Sequence, residues 1–307
     1  MGYSGVHVER PARELMTQPD WEAISSELPE VTIRSVVPIG EGWTATAWRV
    51  NDELVFKFPK KAWVWGDLDR ELALLPYAQP RLPLPVPEYV HTMRKSAAAP
   101  HGYVVYRHLP GRAVDPSALS PAERTSLAQT LARFLRALHA IDPAPVASVL
   151  PRDDEHAVAT QYQRDAERMV APRLSAAERK RLSRLFADHL NDERNFDGRS
   201  VIVHADLSVD HILQVGNRVS GIIDWGDVSI GDPDYDFNYL YEELGEPFVR
   251  EMAAYYGHAD PDRLVRNARY FSIADQIGTI VYGADDALPG DVEGSWETLR
   301  ALLSEGT

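Results

Sequence analysis

The stretch from Val201 to Phe237, VIVHADLSVDHILQVGNRVSGIIDWGDVSIGDPDYDF, sets two carboxylates and a histidine at a spacing that suits metal-assisted phosphoryl transfer. Asp206 follows the apolar run Val201–Val203, which reads as a buried strand; His211 lies five residues on, and Asp224 closes a second apolar run, Ile222-Ile223. Two strand ends thereby deliver acidic groups to one edge. Moving the terminal phosphoryl group of a nucleotide demands positioning and neutralisation of charge by Mg²⁺ more than covalent work by the protein. Asp206 is suited to accept or orient the proton of an acceptor hydroxyl, Asp224 to hold the metal, and His211 sits where a further ligand is expected. Magnesium prefers oxygen donors, so the histidine is the odd member and has a second reading: it reaches the ion through water or orients a phosphate.

The motifs H-x-D-L-x-x-x-H from His204, I-I-D-W-G-D from Ile222 and G-D-P-x-x-D-F from Gly231 resemble those of the aminoglycoside phosphotransferases, antibiotic kinases with a fold similar to protein kinases. Within that group the chain looks most like the 2''-O-phosphotransferases, in which a histidine replaces the asparagine of the usual catalytic loop. Macrolide kinases share this pattern and stay open as an alternative. Ala205 stands where glycine, arginine or asparagine is more familiar, and Trp225 where phenylalanine is common. Neither change touches Asp206, His211 or Asp224.

Around this segment, elements must position the reacting groups. Thr32 to Val37 is rich in β-formers, Gly40-Glu41-Gly42 leads into the extended run Trp43 to Val50, Asn51-Asp52 reads as a tight turn, and Leu54 to Phe58 returns as a strand. This is the order of a nucleotide-covering sheet, although a glycine pair alone marks ordinary hairpins more often than phosphate sites. A dinucleotide-binding fingerprint does not fit, because a helix should follow its glycines. On an alternating strand, Lys57 points away from the face shared by Phe56 and Phe58, placing its ammonium towards the α- and β-phosphates. Leu68, Leu72 and Leu75 follow at helical spacing with Glu71 beside them, and the resemblance implies that Glu71 anchors Lys57. Four prolines between Pro80 and Pro87 make a stiff connection. Gly102 to Tyr106 reads as the last strand of the sheet, followed by a hinge at Arg107–Gly111, with the nucleotide base against the backbone from Tyr106 through His108 to Leu109.

The remainder reads as helical. Ser120-Pro121-Ala122-Glu123 and Ser175-Ala176-Ala177-Glu178 are capping boxes, each followed by an apolar stripe. His139 and His189 end those stripes and read as packed or capping side chains. Helices are also expected over Tyr235 to Leu244, Phe248 to Tyr256 and Asp262 to Tyr282. Their carboxylates, Asp275 among them, are by default solvated. The resemblance implies that Asp227, Glu242 and Glu246 contact the amino groups of an aminoglycoside, with Glu243 as a neighbour. Asp232 and Asp236 read as structural, satisfying backbone donors and capping the following helix.

The formal charge of −14 disfavours nucleic acid and favours a cationic ligand. Absence of cysteine is consistent with a reducing cytoplasm, and neither a membrane-spanning run nor a secretory signal is legible. The first fifteen or so residues are expected to form a loose arm, with fraying beyond Leu303. The expectation is therefore an α+β, bilobal protein-kinase-like fold, with an antiparallel-sheet lobe over residues 1–107 and a mainly helical lobe over 108–307. The function expected is that of a monomeric, cytoplasmic antibiotic kinase. It would carry the γ-phosphoryl of ATP or GTP, with Mg²⁺, to an aminoglycoside hydroxyl at the 2'' position, and the resemblance implies that this confers resistance. Two alternatives stand beside it: a macrolide 2'-kinase or other small-molecule kinase, and a non-catalytic nucleotide-binding pseudokinase.

Overall fold

Phe56 and Phe58 are both buried on one face of a strand, and their rings meet Trp21 edge-on at centroid distances of 5.7 and 6.0 Å. That aromatic core organises the first of two units into which the computed structural model divides. The structure describes residues 18–196, 198–282 and 291–304. The expected amino-terminal arm lies outside these, as do the last three residues. The first unit comprises residues up to 64 together with 89–108, and the second comprises 65–88 with 109 onward.

In the first unit, α1 (Trp21–Glu27) precedes strands β1 (Val36–Glu41), β2 (Ala45–Val50) and β3 (Leu54–Pro59). The chain returns to this unit with β4 (Tyr89–Met93) and β5 (Tyr103–Arg107), giving the antiparallel order β1-β2-β3-β5-β4. Gly40 lies inside β1, where a bulge falls between Pro38 and Gly40. The tight turn is a three-residue loop, because Val50 pairs with Leu54; Asn51 and Asp52 both take positive φ, at 56° and 59°. The Asn51 amide also accepts from Arg34 and Ser35 N–H and donates to the Thr32 carbonyl, so the expected strand over 32–35 is instead a segment pinned by a side chain. Glu27 accepts from Ser96, Ala97 and Tyr103 and ties α1 to the sheet.

The second unit begins with α2 (Trp65–Ala78) and continues through β6 (Arg112–Ala113), α3 (Pro121–Leu138), α4 (Glu155–Asp165) and α5 (Ala176–Leu190). Strands β7 (Val201–Val203), β8 (Ile212–Val215), β9 (Arg218–Ile222) and β10 (Ser229–Gly231) follow, then α6 (Asn238–Leu244), α7 (Glu246–Tyr256), α8 (Pro261–Tyr282) and α9 (Asp291–Ser304). Both capping boxes form: Ser120 and Ser175 each accept from the glutamate three residues on, whose carboxylate accepts in return. Leu127, Leu131, Phe134, Leu135 and Leu138 of α3 are all buried. The proline-rich connection is more than a spacer, since the Pro85 carbonyl accepts from Ile222 N–H at 3.0 Å. β7 pairs with β10, and β8 pairs with both β6 and β9. No helix among the described residues is long and apolar enough to cross a membrane.

Candidate active site

The turn that carries Asp206 starts where β7 ends. His204 is completely buried, its ring centroid 4.6 Å from that of the buried Trp225. Its Nε2–H donates to the Ile223 carbonyl at 3.1 Å, leaving Nδ1 to accept from Asp206 N–H at 3.3 Å, and burial lowers its pKa to about 4, so it is neutral. Ala205 takes φ +67°, a left-handed conformation that costs a side-chain-bearing residue about 1–2 kcal/mol. Asp236 holds that strained turn: its two carboxylate oxygens accept from His204 N–H at 3.0 Å and Ala205 N–H at 2.8 Å. His139, at the C-cap of α3, donates to the same carboxylate through Nε2 at 2.9 Å, and its Nδ1 meets the Tyr256 hydroxyl at 2.9 Å. Asp236 is thus structural as expected, but it braces the catalytic turn and does not cap α6, whose N-cap Phe237 has no side-chain bond. His189 is packed as expected, stacked on Tyr270 at 3.5 Å.

Asp224 follows β9 and takes φ +61°. Nearby, Ile223 N–H donates to the His211 carbonyl at 3.0 Å, tying the two turns together. One ligand atom from each of Asp206, His211 and Asp224 lies within 4.8 Å of the others. His211 Nδ1 lies 2.8 Å from the Asp206 carbonyl oxygen, an acceptor only, so Nδ1 carries hydrogen and Nε2, 3.6 Å from an Asp224 oxygen, keeps a lone pair when the ring is neutral. Two carboxylates and one available imidazole nitrogen therefore face a common point. The donor set suits Mg²⁺ through its two oxygen ligands, and the three residues named from the sequence come together here.

Burial raises the Asp206 carboxyl to about 7; His211 opposes this, while Asp227, Asp224 and Asp275 add to it. Burial disfavours the charged His211 ring, but Asp206 and Asp224 outweigh it and raise the histidine above its ordinary value. Beside Ala205 and Asp227 opens a cavity of about 520 Å³ within the second unit. Its walls include Tyr162 from α4, Tyr235 and Tyr239, and Asp275 from α8. Asp275 accepts from Tyr235 at 2.7 Å and from Asn238, and burial raises its pKa to about 7, with Glu242 and Asp227 contributing. The solvated surface acid expected at 275 is therefore a half-buried member of an acidic cluster.

Comparison with known proteins decides what this constellation belongs to. Residues 35–268 match the model of the phosphotransferase enzyme family. The chain belongs to this family of phosphoryl-transferring enzymes. Among relatives of this phosphotransferase, viomycin phosphotransferase of Streptomyces vinaceus is 30% identical over 172 residues, which is 52% of this chain and 56% of that protein. The match thus spans little more than half the length of that relative. A solved GDP complex of aminoglycoside 2'-phosphotransferase-IIIa superposes with a TM-score of 0.85 at 29% identity, covering 92% of this chain and 97% of the other. A GDP and kanamycin complex of APH(2")-IIia gives the same score and identity over 94% and 99%. Macrolide 2'-phosphotransferase from Brachybacterium faecium, at 22% identity and a TM-score of 0.68, shares the fold. The sheet-bearing first unit and helical second unit are the α+β kinase-like class expected from the sequence.

The remaining candidate residues of this family member divide. Glu71 is buried on α2, and a Cβ added at Gly226 would lie 3.8 Å from its Oε1, so it packs beside the turn that carries Asp224. Arg70, which the sequence did not single out, donates to the Gly226 carbonyl at 3.0 Å and pairs with Asp67 at 3.1 Å. Glu243 accepts from Val209 N–H at 2.7 Å, which makes it a brace for the turn carrying His211. Glu242 accepts from Gln276 at 2.9 Å and is raised by burial to about 7. Glu246 is exposed and paired with Arg250 at 2.9 Å, so it already has a cation of its own. In the first unit, Lys57 is half-buried on β3 opposite Ala47 and Val104. A Cβ at Gly40 would meet nothing within 4 Å, and one at Gly42 only the Ala45 carbonyl at 3.8 Å, so no packing demand explains either glycine. Tyr106 lies on β5 opposite Val55, and His108 N–H donates to the Glu53 carbonyl at 2.8 Å.

Proposed function

We propose that this chain transfers the γ-phosphoryl group of ATP or GTP to a hydroxyl, at the 2'' position, of a cationic aminoglycoside, and so protects a cell against the drug. The observation that carries the reading is the juxtaposition of the Asp206, His211 and Asp224 cluster with an acidic, tyrosine-walled cavity. Asp206 would take up or orient the acceptor proton; a carboxyl raised to about 7 is well matched to that exchange near neutrality. Asp224 and His211 would hold Mg²⁺, which when bound supplies positive charge against the polyphosphate. Gly40, Gly42, Lys57, Tyr106 and His108 are assigned to the nucleotide, with Glu71 in support of Lys57. The GDP in both 29%-identical structures favours a guanine nucleotide.

Asp227, Asp275 and Glu242 would receive the ammonium groups of the acceptor, because a cation gives up its hydration only against matched anions. A large apolar macrolide has no use for such acidity. The test is nucleotide turnover by the purified protein with kanamycin, gentamicin, viomycin and a macrolide. Turnover with the aminoglycosides and product carrying phosphate at the 2'' hydroxyl is expected; stimulation by macrolide alone reassigns the acceptor, and none with any acceptor favours a pseudokinase.

A further inference from the structure

Helix α8 carries a glycine, Gly278, deep in its interior, where glycine destabilises a helix by about 1 kcal/mol relative to alanine. The space a side chain would take there is filled by one neighbour. A Cβ built on Gly278 would lie 3.0 Å from the hydroxyl oxygen of Tyr162, 3.4 Å from its Cε1 and 3.6 Å from its Cζ. Tyr162 belongs to α4, its hydroxyl and ring edge lie against Gly278 of α8, and it forms part of the wall of the acidic cavity. Among the described residues its hydroxyl makes no hydrogen bond, whereas the neighbouring Tyr235 hydroxyl is committed to Asp275.

We infer that Gly278 and Tyr162 together determine acceptor specificity: the missing side chain at 278 seats the phenol against α8, and the seated phenol presents an uncommitted hydroxyl to the acceptor. The inference rests on the proposed function, in which this cavity receives the acceptor. It adds to the acids, which attract any polycation, a neutral group that donates to or accepts from one polar group of the acceptor and so discriminates between ligands of equal charge. Tyr162 keeps its proton in this role, because burial and the nearby Asp275 raise its pKa to about 12. A methyl group at 278 is tighter than ordinary packing allows, so the ring must leave its seat by a few tenths of an ångström.

The experiment is a double-mutant cycle on the full chain with kanamycin as probe. Tyr162→Phe should raise the kanamycin KM about fivefold, the effect of one lost hydrogen bond, with kcat within about twofold. Gly278→Ala should raise it by a similar factor, with a melting temperature equal to or above that of the wild type because alanine favours the helix. The double variant should match Tyr162→Phe alone, since the displaced hydroxyl is already gone. An unchanged KM in Gly278→Ala, or additive effects, overturns the inference while leaving the function intact. A crystal structure of Gly278→Ala reads the ring position with no acceptor present. It decides the seating even if kanamycin is not turned over, a result that would remove the proposed function alone; a ring left in place overturns the inference.

Discussion

At the scale of the residue, the proposed function gives Asp206, His211 and Asp224 distinct tasks that single substitutions separate. Asp206→Asn should lower kcat by about 10²–10⁴ while leaving the nucleotide KM nearly unchanged, because only proton handling at the acceptor is lost; steady-state kinetics checks this. Glu243 behaves differently from its sequence assignment. Glu243→Gln retains an oxygen for Val209 N–H and should leave turnover within about threefold, whereas Glu243→Ala frees the turn beneath His211 and should cost about tenfold or more in kcat. If both variants instead changed only the acceptor KM, Glu243 would be a binding residue after all. The reactive trio was legible in the sequence because its members are fixed by local spacing at the ends of short apolar runs. Asp275 and Tyr162 were not, because their burial is decided by which helices meet. On its own, an acid in a helix looks solvated.

Elements explain how strain is tolerated beside the chemistry. Ala205 and Asp224 both adopt left-handed backbone in the turns that bear the reacting groups, and Asp236 with His139 holds the first of them. Asp236→Ala leaves the buried His204 N–H and the half-buried Ala205 N–H without their acceptor and should destabilise the protein by about 2–4 kcal/mol, measured by chemical denaturation. Ala205→Gly relieves the backbone and should be neutral to stabilising by about 1 kcal/mol, while the β-branched Ala205→Val should lose about 2 kcal/mol or more. The capping boxes of α3 and α5 announced those helices, since their hydrogen bonds are local and their residue types specific. Strand β4 was missed because its residues are half-buried with no clear alternation, and α4 was missed because only Ala159 of its apolar residues is buried, Val158 and Tyr162 lining the cavity instead of a packed core.

For the whole molecule, stability follows the protonation of a few buried carboxyls and histidines. Asp275 and Glu242 have raised pKa values of about 7, so the folded state holds protons that the unfolded chain releases near its ordinary carboxyl pKa. Their contribution to stability is present below that ordinary value and is lost as pH rises through 7. His204 and His189, depressed to about 4, act in the opposite sense: their contribution is present above the ordinary histidine pKa and is lost as pH falls towards 4. Thermal melts across this range should show a maximum in mildly acidic buffer, and Asp275→Asn should flatten the alkaline side. A cationic acceptor needs the ionised acids, so its KM should rise about tenfold between pH 8 and pH 6. The acidic lining of the cavity has a consequence inside a cell. On the proposed function, a cationic acceptor that binds only the folded state would favour that state by mass action, and the antibiotic would act as its own enemy's chaperone. Exposure would then slow proteolytic turnover and let the enzyme accumulate with no change in transcription.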